Sequence, residues 1–244
     1  MPSMQVKALC FDVFGTVTDW RTSVIKEGEA LSGQWGVQVP WGEFVNRWRI
    51  EGYLMALLKI AAGEMDYAPT EELHRRKLLA LLPEYGLGQL DEEQFEHFNR
   101  AWNRITAWPD AAPGLTAMKQ DFMIMTLSNG EYRTMLDIAK LNALPWDGII
   151  SADFFNSVKP DPAVYRGAAE MLAMEPGEVM MVACHAADLE AAKGVGFRTA
   201  YVRRPLEFGP DFPAESTPDF ADYAADDFVE LAKQLAADKQ AGAI

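Results

Sequence analysis

Cysteine, positive charge and long apolar runs are all scarce in this sequence. Its 244 residues include 2 cysteines, Cys10 and Cys184, whose spacing fits neither a disulfide framework nor a zinc site. No stretch reaches the roughly 20 apolar residues that a membrane-spanning helix needs. The 22 lysines and arginines are outnumbered by 36 acids, giving a formal net charge of -14. This balance argues against nucleic-acid and membrane partners, because both reward basic surfaces.

The remaining composition is that of an ordinary soluble globular protein, with 49% hydrophobic and 24% charged residues and no repeat. A chain of this length can form one large domain, or a core domain with a smaller one. The first residues, MPSMQVKALCFDVFG, show neither a secretory apolar run nor a small-residue cleavage site. We therefore expect a cytoplasmic protein.

Short apolar runs alternate with helical patterns over much of the chain. The runs predicted to be buried strands are 6–13, 122–128, 148–151, 179–184 and 198–202. The helical patterns that follow them are 131–141, 162–173, 188–195 and 226–240. This alternation predicts an α/β fold, with a Rossmann-like parallel sheet and helices on both of its faces.

The interval between the first and second predicted strands is too long for a simple crossover. It exceeds a hundred residues, whereas a βαβ unit needs only about 30. It contains helical patterns at 23–35, 42–62, 70–83 and 91–106, and no convincing strand. We predict a helical cap domain at residues 20–105, inserted into a core domain of residues 1–19 and 106–244. Such a cap would close over the carboxyl ends of the strands, where open α/β sheets bind ligands.

Polar residues follow four of the predicted strands. Asp12 ends the first strand, Ser128 and Asn129 end the second, and Lys159 and Asp188 follow the third and fourth. Because the carboxyl ends of parallel strands meet at one edge of a sheet, we expect these side chains to converge. A buried aspartate is costly unless it is paired, and Lys159 is the natural partner of Asp12. An ionised Asp12 could then act as a covalent nucleophile.

Each of these residues also has a simpler explanation when it is taken alone. Asp12 could cap a turn, Lys159 could lie at the surface, and Asp188 could be the N-cap of its helix. Arg49, beside a tryptophan on an amphipathic helix, could be a solvated neighbour of a packing residue. His185 could contact a helix start or position a water molecule. The functional interpretation therefore depends on these residues occurring together.

Together, these motifs resemble the haloacid dehalogenase superfamily. The resemblance is carried by FDVFGTVTD at 11–19, SN at 128–129, KPDP at 159–162 and the distal Asp188. Their order spans the whole predicted core, and the helical insertion corresponds to the cap of that superfamily. The resemblance implies the superfamily's fold and a hydrolase in which Asp12 is the nucleophile.

Two positions separate the branches of this superfamily. Phe14 stands where the phosphatase branch has its acid/base aspartate, and Cys184 stands where that branch has the first acid of its magnesium site. Magnesium prefers hard oxygen ligands, so a buried thiol is a poor substitute. The sequence is more similar to the L-2-haloacid dehalogenase branch, which uses neither a metal nor another cofactor.

The branch resemblance implies a role for each matched residue. Catalytic roles fall to Asp12, Thr16, Arg49, Lys159 and Asp188, and substrate-binding roles to Phe14, Ser128, Asn129, Tyr165 and His185. Arg49, in FVNRWRIEGY, corresponds to the halide-binding arginine. The sequence departs from the branch at Ala183 and His185, where Ser-x-Asn is usual, and at Ala187, where an aromatic residue is usual. These departures fall at positions that contact the substrate and the hydrolytic water in that branch.

The implied reaction is a two-step hydrolysis of a small anionic 2-haloalkanoic acid. Asp12 displaces the halide with inversion at C2, while Arg49 and Asn129 stabilise the departing ion. Water, oriented or activated by Asp188 with His185, then cleaves the resulting ester. Two other functions stay open: a phosphatase-like hydrolase of the same superfamily, and a catalytically inert member that binds a small acid. Related folds often pair through their helices, so a homodimer is a further expectation.

Overall fold

The computed structural model describes residues 5–35 and 37–244, so the first four residues of the predicted core lie outside this description. The strands in the described residues are β1 (Ala8–Phe11), β2 (Thr18–Asp19), β3 (Thr106–Ala107), β4 (Met123–Ser128), β5 (Gly148–Ser151), β6 (Val179–Ala183), β7 (Arg198–Val202) and β8 (Tyr223–Ala225). The α-helices are α1 (Trp20–Trp35), α2 (Trp41–Arg47), α3 (Met55–Ala61), α4 (Thr70–Glu84), α5 (Glu92–Asn99), α6 (Ala111–Met118), α7 (Tyr132–Leu141), α8 (Pro162–Met171), α9 (Ala186–Gly194) and α10 (Phe228–Gln240).

Six of the strands form one sheet in which every neighbouring pair is parallel. Their order is β5-β4-β1-β6-β7-β8. The first strand lies at the centre, with Ala8 in register with Met123 on one side and with Val179 on the other. The chain first builds outward to β5 and then crosses to β6, which makes the carboxyl end of β1 the point at which strand order reverses. Open α/β sheets bind ligands at this point.

Side chains of the central strand alternate between two apolar layers, because successive residues of a strand point to opposite faces. Leu9 and Phe11 pack in the layer that contains buried residues of α6, α7 and α10. Cys10 packs in the opposite layer, against buried residues of α8 and α9. Both faces of the sheet are therefore covered, which explains why its strands are continuous apolar runs in the sequence. The predicted Rossmann-like fold is confirmed.

The long insertion after β1 is helical, as predicted, and consists of α1 to α5 with two irregular segments. The predicted helix 42–62 is one continuous element in which residues Trp48–Leu54 form a π-helix between α2 and α3. Residues Arg100–Arg104 continue α5 as a 3-10 helix. Within the part of the chain that the structure describes, no helix has both the length and the apolar character needed to cross a membrane.

The prediction that the interval before Phe122 holds no strand is wrong. The short strand β3 pairs antiparallel with β2, placing Thr18 opposite Ala107 and Asp19 opposite Thr106. Each strand has two residues, which is too few to produce the alternating pattern that identifies a strand in a sequence. The pair joins the chain at both ends of the helical insertion. Strand β8 and helix α6 were also absent from the prediction.

Candidate active site

Asp12 lies directly after β1, at the carboxyl edge of the sheet. Its side chain is buried, and its backbone N–H donates to the Val182 carbonyl at 3.0 Å. The chain then turns at Gly15, whose φ of 88° is a conformation that favours glycine. This turn brings Thr16 back onto the carboxylate, and its hydroxyl donates to Asp12 Oδ2 at 2.7 Å. The same hydroxyl accepts the N–H of Cys184 at 3.0 Å, which fixes its orientation.

Lys159 joins Asp12 to Asp188 in the buried interior of the site. Its ammonium donates to Asp12 Oδ1 at 2.9 Å and to Asp188 Oδ2. The second oxygen of Asp188 accepts the hydroxyl of Tyr165 at 2.6 Å. Asn129 holds the lysine in place, because its amide oxygen accepts the Lys159 N–H at 2.7 Å and its amide nitrogen donates to the Lys159 carbonyl at 3.2 Å. The predicted convergence of the strand ends is therefore present in the structure.

The charges of this group favour an ionised Asp12. Burial alone would raise the pKa of Asp12, but the ammonium of Lys159 and the contacts with His185 outweigh it and hold this pKa below its ordinary value. Burial, reinforced by the neighbouring charge of Asp12, raises the pKa of Asp188 even though Lys159 acts against it. The two carboxylates outweigh burial at Lys159 and raise its pKa, so the amine stays charged. Of the two carboxyl groups, Asp12 is therefore the one held in the ionised form.

Arg49 lies in the π-helical segment, a kind of distortion that is frequent at functional sites. It is only 4% exposed. Its guanidinium carbon lies 4.0 Å from the centre of the Tyr53 ring, 4.8 Å from that of Phe14 and 5.5 Å from that of Trp102. Nε and Nη1 of Arg49 have no hydrogen-bond partner among the described residues. Burial accordingly lowers its pKa. A buried cation with free donors is equipped to hold an anion.

A cavity of about 310 Å³ connects Asp12 with Arg49. Its other lining residues are Phe14, Tyr53, Leu54, Leu57, Leu58, Ser128, Asn129, Lys159, Pro160, His185, Ala187 and Asp188. The hydroxyl oxygen of Ser128 is buried and has no partner in the described residues, so it can bind a ligand in this cavity. Eight of the ten predicted site residues line the cavity. Thr16 and Tyr165 instead lie behind it, bonded to Asp12 and Asp188.

Glu207 is a component of the site that the sequence did not indicate. It lies in the loop between β7 and β8, it is buried, and both of its oxygens approach His185 Nε2, at 3.1 and 3.0 Å. The other ring nitrogen of His185, Nδ1, lies 3.2 Å from Asp12 Oδ2. Burial would raise the pKa of Glu207, but the imidazole of His185 outweighs it and lowers this pKa. No sequence motif surrounds Glu207. The fold alone places it beside His185, which in turn contacts Asp12.

Within residues 5–35 and 37–244, one group of side chains has the spacing of a metal site. Donor atoms of Cys184, His185 and Glu207 all lie within 4.8 Å of one another. A thiol, an imidazole and a single carboxylate form a donor set that suits zinc better than magnesium. Burial raises the pKa of the Cys184 thiol to about 11, so this group stays protonated as it stands. The arrangement therefore does not fit the magnesium of a phosphatase.

Comparisons with known proteins agree with this geometry. A family model described as haloacid dehalogenase-like hydrolase matches residues 6–196. A solved L-2-haloacid dehalogenase is 41% identical and superposes with a TM-score of 0.89, covering 95% of this chain and 99% of the other.

Two relatives from Xanthobacter autotrophicus extend the comparison. A curated (S)-2-haloacid dehalogenase is 31% identical over 82% of this chain and 76% of its own length. A solved L-2-haloacid dehalogenase with chloropropionic acid covalently bound is 25% identical, with a TM-score of 0.77 over 95% of this chain and 99% of the other.

Proposed function

The chain belongs to the haloacid dehalogenase-like hydrolases, and we propose that it hydrolyses the carbon–halogen bond of small 2-haloalkanoic acids, giving a 2-hydroxy acid and a halide ion. The observation that carries this proposal is the placement of Arg49 across the cavity from Asp12, buried and with two unpartnered nitrogens. A nucleophile facing a cation without a counter-ion suits a reaction that expels an anion. The names of the similar proteins support the same activity.

In the first step, Asp12 attacks C2 of the substrate and displaces the halide with inversion. The carbon–halogen bond breaks with its electron pair on the halide, and an ester forms between Asp12 and the substrate. Arg49 binds the halide in a cage of aromatic rings, where burial strengthens the attraction. Asn129 lines the same cavity and adds an amide contact to the departing ion.

In the second step, water cleaves the ester at the carboxyl carbon of Asp12. Lys159 keeps its ammonium beside that carboxyl group and stabilises the oxyanion that forms during the attack. Thr16 fixes the orientation of the Asp12 carboxyl group. Asp188 accepts a hydrogen bond from Lys159 and is itself held by Tyr165. The relative with chloropropionic acid covalently bound supports a covalent intermediate.

We propose that the substrate is small and anionic. The cavity of about 310 Å³ is lined on its cap side by Tyr53, Leu54, Leu57 and Leu58, which leaves room for a short apolar chain. Ser128, with its unpartnered hydroxyl, would bind the substrate carboxylate at the opposite side. Phe14 forms an apolar wall beside Arg49.

A phosphatase activity is disfavoured by the residues around the nucleophile. Phe14 packs its ring against Arg49 and Trp102, so this position offers no acid to protonate a leaving alcohol. The thiol of Cys184 stands where magnesium would need a carboxylate. An inert acid-binding role is disfavoured because all three charged residues that the proposed reaction needs are present and in contact: Asp12, Lys159 and Asp188.

We propose further that residues 20–105 act as a cap domain on a core of residues 1–19 and 106–244. The pairing of β2 with β3 at the two ends of the insertion supports this division. A cytoplasmic location, the absence of nucleic-acid and membrane partners, and a homodimer are proposals too; the charge of -14 supports the second of these. Sedimentation at several concentrations would test the homodimer.

Halide release is the direct test of the proposed activity. The substrates are chloro-, bromo- and fluoroacetate and the two enantiomers of 2-chloropropionate, each with and without a chelator. We expect release from at least one of them, preference for the (S) enantiomer, and no effect of the chelator. Folded protein that releases no halide from any of them would contradict the proposal, and loss of release with chelator would contradict its metal-free part.

A pair of aspartate variants tests the nucleophile. Asp12→Asn should lose at least about 1000-fold in activity, because the amide cannot form the ester. Asp19→Asn is the matched control, since Asp19 belongs to the same sequence motif but bonds the N–H of Thr22 outside the cavity. It should keep activity near that of the parent protein. An Asp12→Asn variant with full activity would refute the assignment.

A further inference from the structure

His185 connects the nucleophile with a second buried carboxylate. Its Nδ1 lies 3.2 Å from Asp12 Oδ2, and its Nε2 lies 3.0 Å from Glu207 Oε2. About a third of its side chain is exposed, on the side that faces the cavity. The imidazole therefore touches the carboxyl group that becomes an ester, the substrate space and Glu207 at the same time.

Asp188, the other candidate for activating water, is already fully engaged. One of its oxygens accepts Lys159 and the other accepts Tyr165. A proton taken from water would have to compete with both of these contacts. Nδ1 of His185, in contrast, contacts Asp12 alone among the described polar groups. This contact depends on the negative charge of Asp12, which esterification removes.

We propose that His185 and Glu207 form the pair that accepts the proton of the hydrolytic water, with His185 as the base and Glu207 as its positioning residue. This inference rests on the proposed dehalogenase function and assigns its second step. It gives a role to the imidazole that stands where the resembling branch has an asparagine, and to an acid that the sequence did not indicate.

The charge of Asp12 decides when His185 can act. In the free enzyme, burial acts to lower the pKa of His185, but the carboxylates of Glu207 and Asp12 outweigh it and raise this pKa well above its ordinary value. The ring is then an imidazolium that donates to both carboxylates. Once Asp12 is an ester, one of these anions is gone, and the pKa of His185 falls. The ring releases its Nδ1 proton to solvent and becomes a base in the half-reaction that needs one.

In the hydrolytic step, a water oxygen bonds to the carboxyl carbon of Asp12 and one water proton goes to Nδ1 of His185. The electron pair of the carbonyl bond moves onto the carbonyl oxygen. When this pair returns, the bond between the carboxyl carbon and the ester oxygen breaks. The departing hydroxy acid takes the proton from Nδ1. The remaining proton of Asp12, whose carboxyl group now contains the water oxygen, passes to Nδ1 and restores the imidazolium of the free enzyme.

The surroundings of Glu207 show that its position is fixed by the fold. The indole N–H of Trp20 donates to Oε1 at 3.1 Å. A Cβ atom at Gly15 would lie 2.1 Å from the same oxygen, so the turn after the nucleophile leaves room for this carboxylate only because it contains glycine. A second cavity of about 340 Å³ is also lined by Cys184 and Glu207.

The titratable groups around His185 come from each neighbouring element. Asp12 follows β1, Cys184 follows β6, and Glu207 approaches from the loop after β7. Lys159 and Arg49 line the same cavity from the segment after β5 and from the cap. Both of these cations are present before and after esterification, so the change at Asp12 is the one that shifts the pKa of His185.

The test separates the two half-reactions in single-turnover experiments with (S)-2-chloropropionate. Halide release measures ester formation, and intact-protein mass spectrometry measures the loss of the ester. The variants are His185→Gln and Glu207→Gln. The control is Glu215→Gln, because Glu215 lies in the same loop but bonds the N–H of Ala186 rather than the ring of His185.

We expect His185→Gln to slow ester hydrolysis by about 100-fold or more, and Glu207→Gln by about 10-fold, with ester accumulating in both. Halide release in the first turnover should be slowed less than ester hydrolysis in both variants, so that ester formation stays ahead of its loss. The pH profile of ester hydrolysis should rise with pH as His185 loses its proton. Without the anion of Glu207 to stabilise the imidazolium, this rise should occur at lower pH. A purely structural role of Glu207 would not move it.

Unchanged ester hydrolysis in both variants, or an unshifted pH profile in Glu207→Gln, would overturn the pair while leaving the proposed function standing. A parent protein without a halide burst would overturn the proposed function and the pair with it. If the variants do not fold, the parent protein still decides. Its His185 resonance in nitrogen-15 spectra should report an imidazolium at pH 7, and a neutral ring there before esterification would contradict the charge change.

Discussion

The opposite charges of the buried site residues neutralise one another because they lie in direct contact. Asp12 and Asp188 share the single ammonium of Lys159, and His185 adds a second contact to Asp12. Like charges this near are tolerable because the cation lies between them. Asp12, Lys159 and Asp188 could be predicted because each follows a strand, and strand ends converge. The contact of Glu207 with this group depends on a loop whose path no sequence pattern specifies.

Arg49 represents the opposite situation, a buried charge that no described carboxylate neutralises. It makes no salt bridge, and two of its nitrogens have no partner in the described residues. Such a charge costs stability, and in the proposed reaction the departing halide would be its counter-ion. Sequence patterns alone favoured a solvated residue here, because a helical pattern does not show which face a cap turns toward the core.

We expect Arg49→Met to lose at least about 100-fold in kcat/KM while its melting temperature stays equal to that of the parent protein or rises. The methionine fills much of the same space without a buried charge, so folding does not suffer, but the halide loses its cation. Thermal unfolding and steady-state halide release measure the two effects. Arg47→Met is the control, since Arg47 forms its ion pairs with Glu51 and Glu84 at the surface. A strongly destabilised Arg49→Met variant would contradict this account of the site.

At the scale of elements, the cap meets the core where α4 begins. The hydroxyl of Thr70 donates to the Asn129 carbonyl at 2.7 Å, and the N–H of Glu71 donates to Glu131 Oε1 at 2.5 Å. These bonds hold the cap beside the end of β4, where Ser128 and Asn129 lie. The helices of the cap could be predicted from their periodicity, but the π-helical segment could not, because its apolar pattern does not differ from that of an α-helix over so few residues.

Replacement of Glu131 should change stability in a way that depends on pH. Burial chiefly, with Asp153 and Glu71 nearby, raises the pKa of Glu131 from 4.5 to about 7. The folded state therefore holds this proton more tightly than the unfolded chain, and stability falls as pH rises from about 4.5 to 7. We expect Glu131→Gln, which resembles the protonated acid, to melt at a higher temperature than the parent protein at pH 8 and at nearly the same temperature at pH 5.

Glu92→Gln is the control for this comparison, because Glu92 is an exposed acid in the first turn of α5. Its effect on the melting temperature should be small at both pH values. A Glu131→Gln variant that is less stable than the parent protein at pH 8 would show that the ionised acid strengthens the contact between cap and core.

At the scale of the whole molecule, the net charge of -14 opposes an anionic substrate. Attraction is confined to the cavity, where Arg49 and Lys159 provide the positive charge. The parallel sheet and its two covered faces could be predicted because buried strands form continuous apolar runs. The pairing of β2 with β3 and the strand β8 could not, since two or three residues do not establish a period.

Salt should therefore accelerate capture of the substrate. We expect kcat/KM for chloroacetate to increase by about twofold between roughly 0.02 and 0.2 M ionic strength, because screening weakens the repulsion by the distant surface acids more than the attraction inside the cavity. Sodium sulfate is the appropriate salt, as it adds no halide, and kcat should stay constant as an internal control. A fall in kcat/KM with rising salt would contradict this account, because it would mean that the cations of the cavity attract the approaching substrate more strongly than the surface acids repel it.

The most direct test of the central claim is a single turnover in water enriched in oxygen-18, with enzyme in excess over (S)-2-chloropropionate. If Asp12 forms the ester and water attacks its carboxyl carbon, the label appears in the peptide that contains Asp12, and the first 2-hydroxy acid released is unlabelled. Label found in the first product, with none in that peptide, would contradict the account, because water would then have attacked the substrate directly.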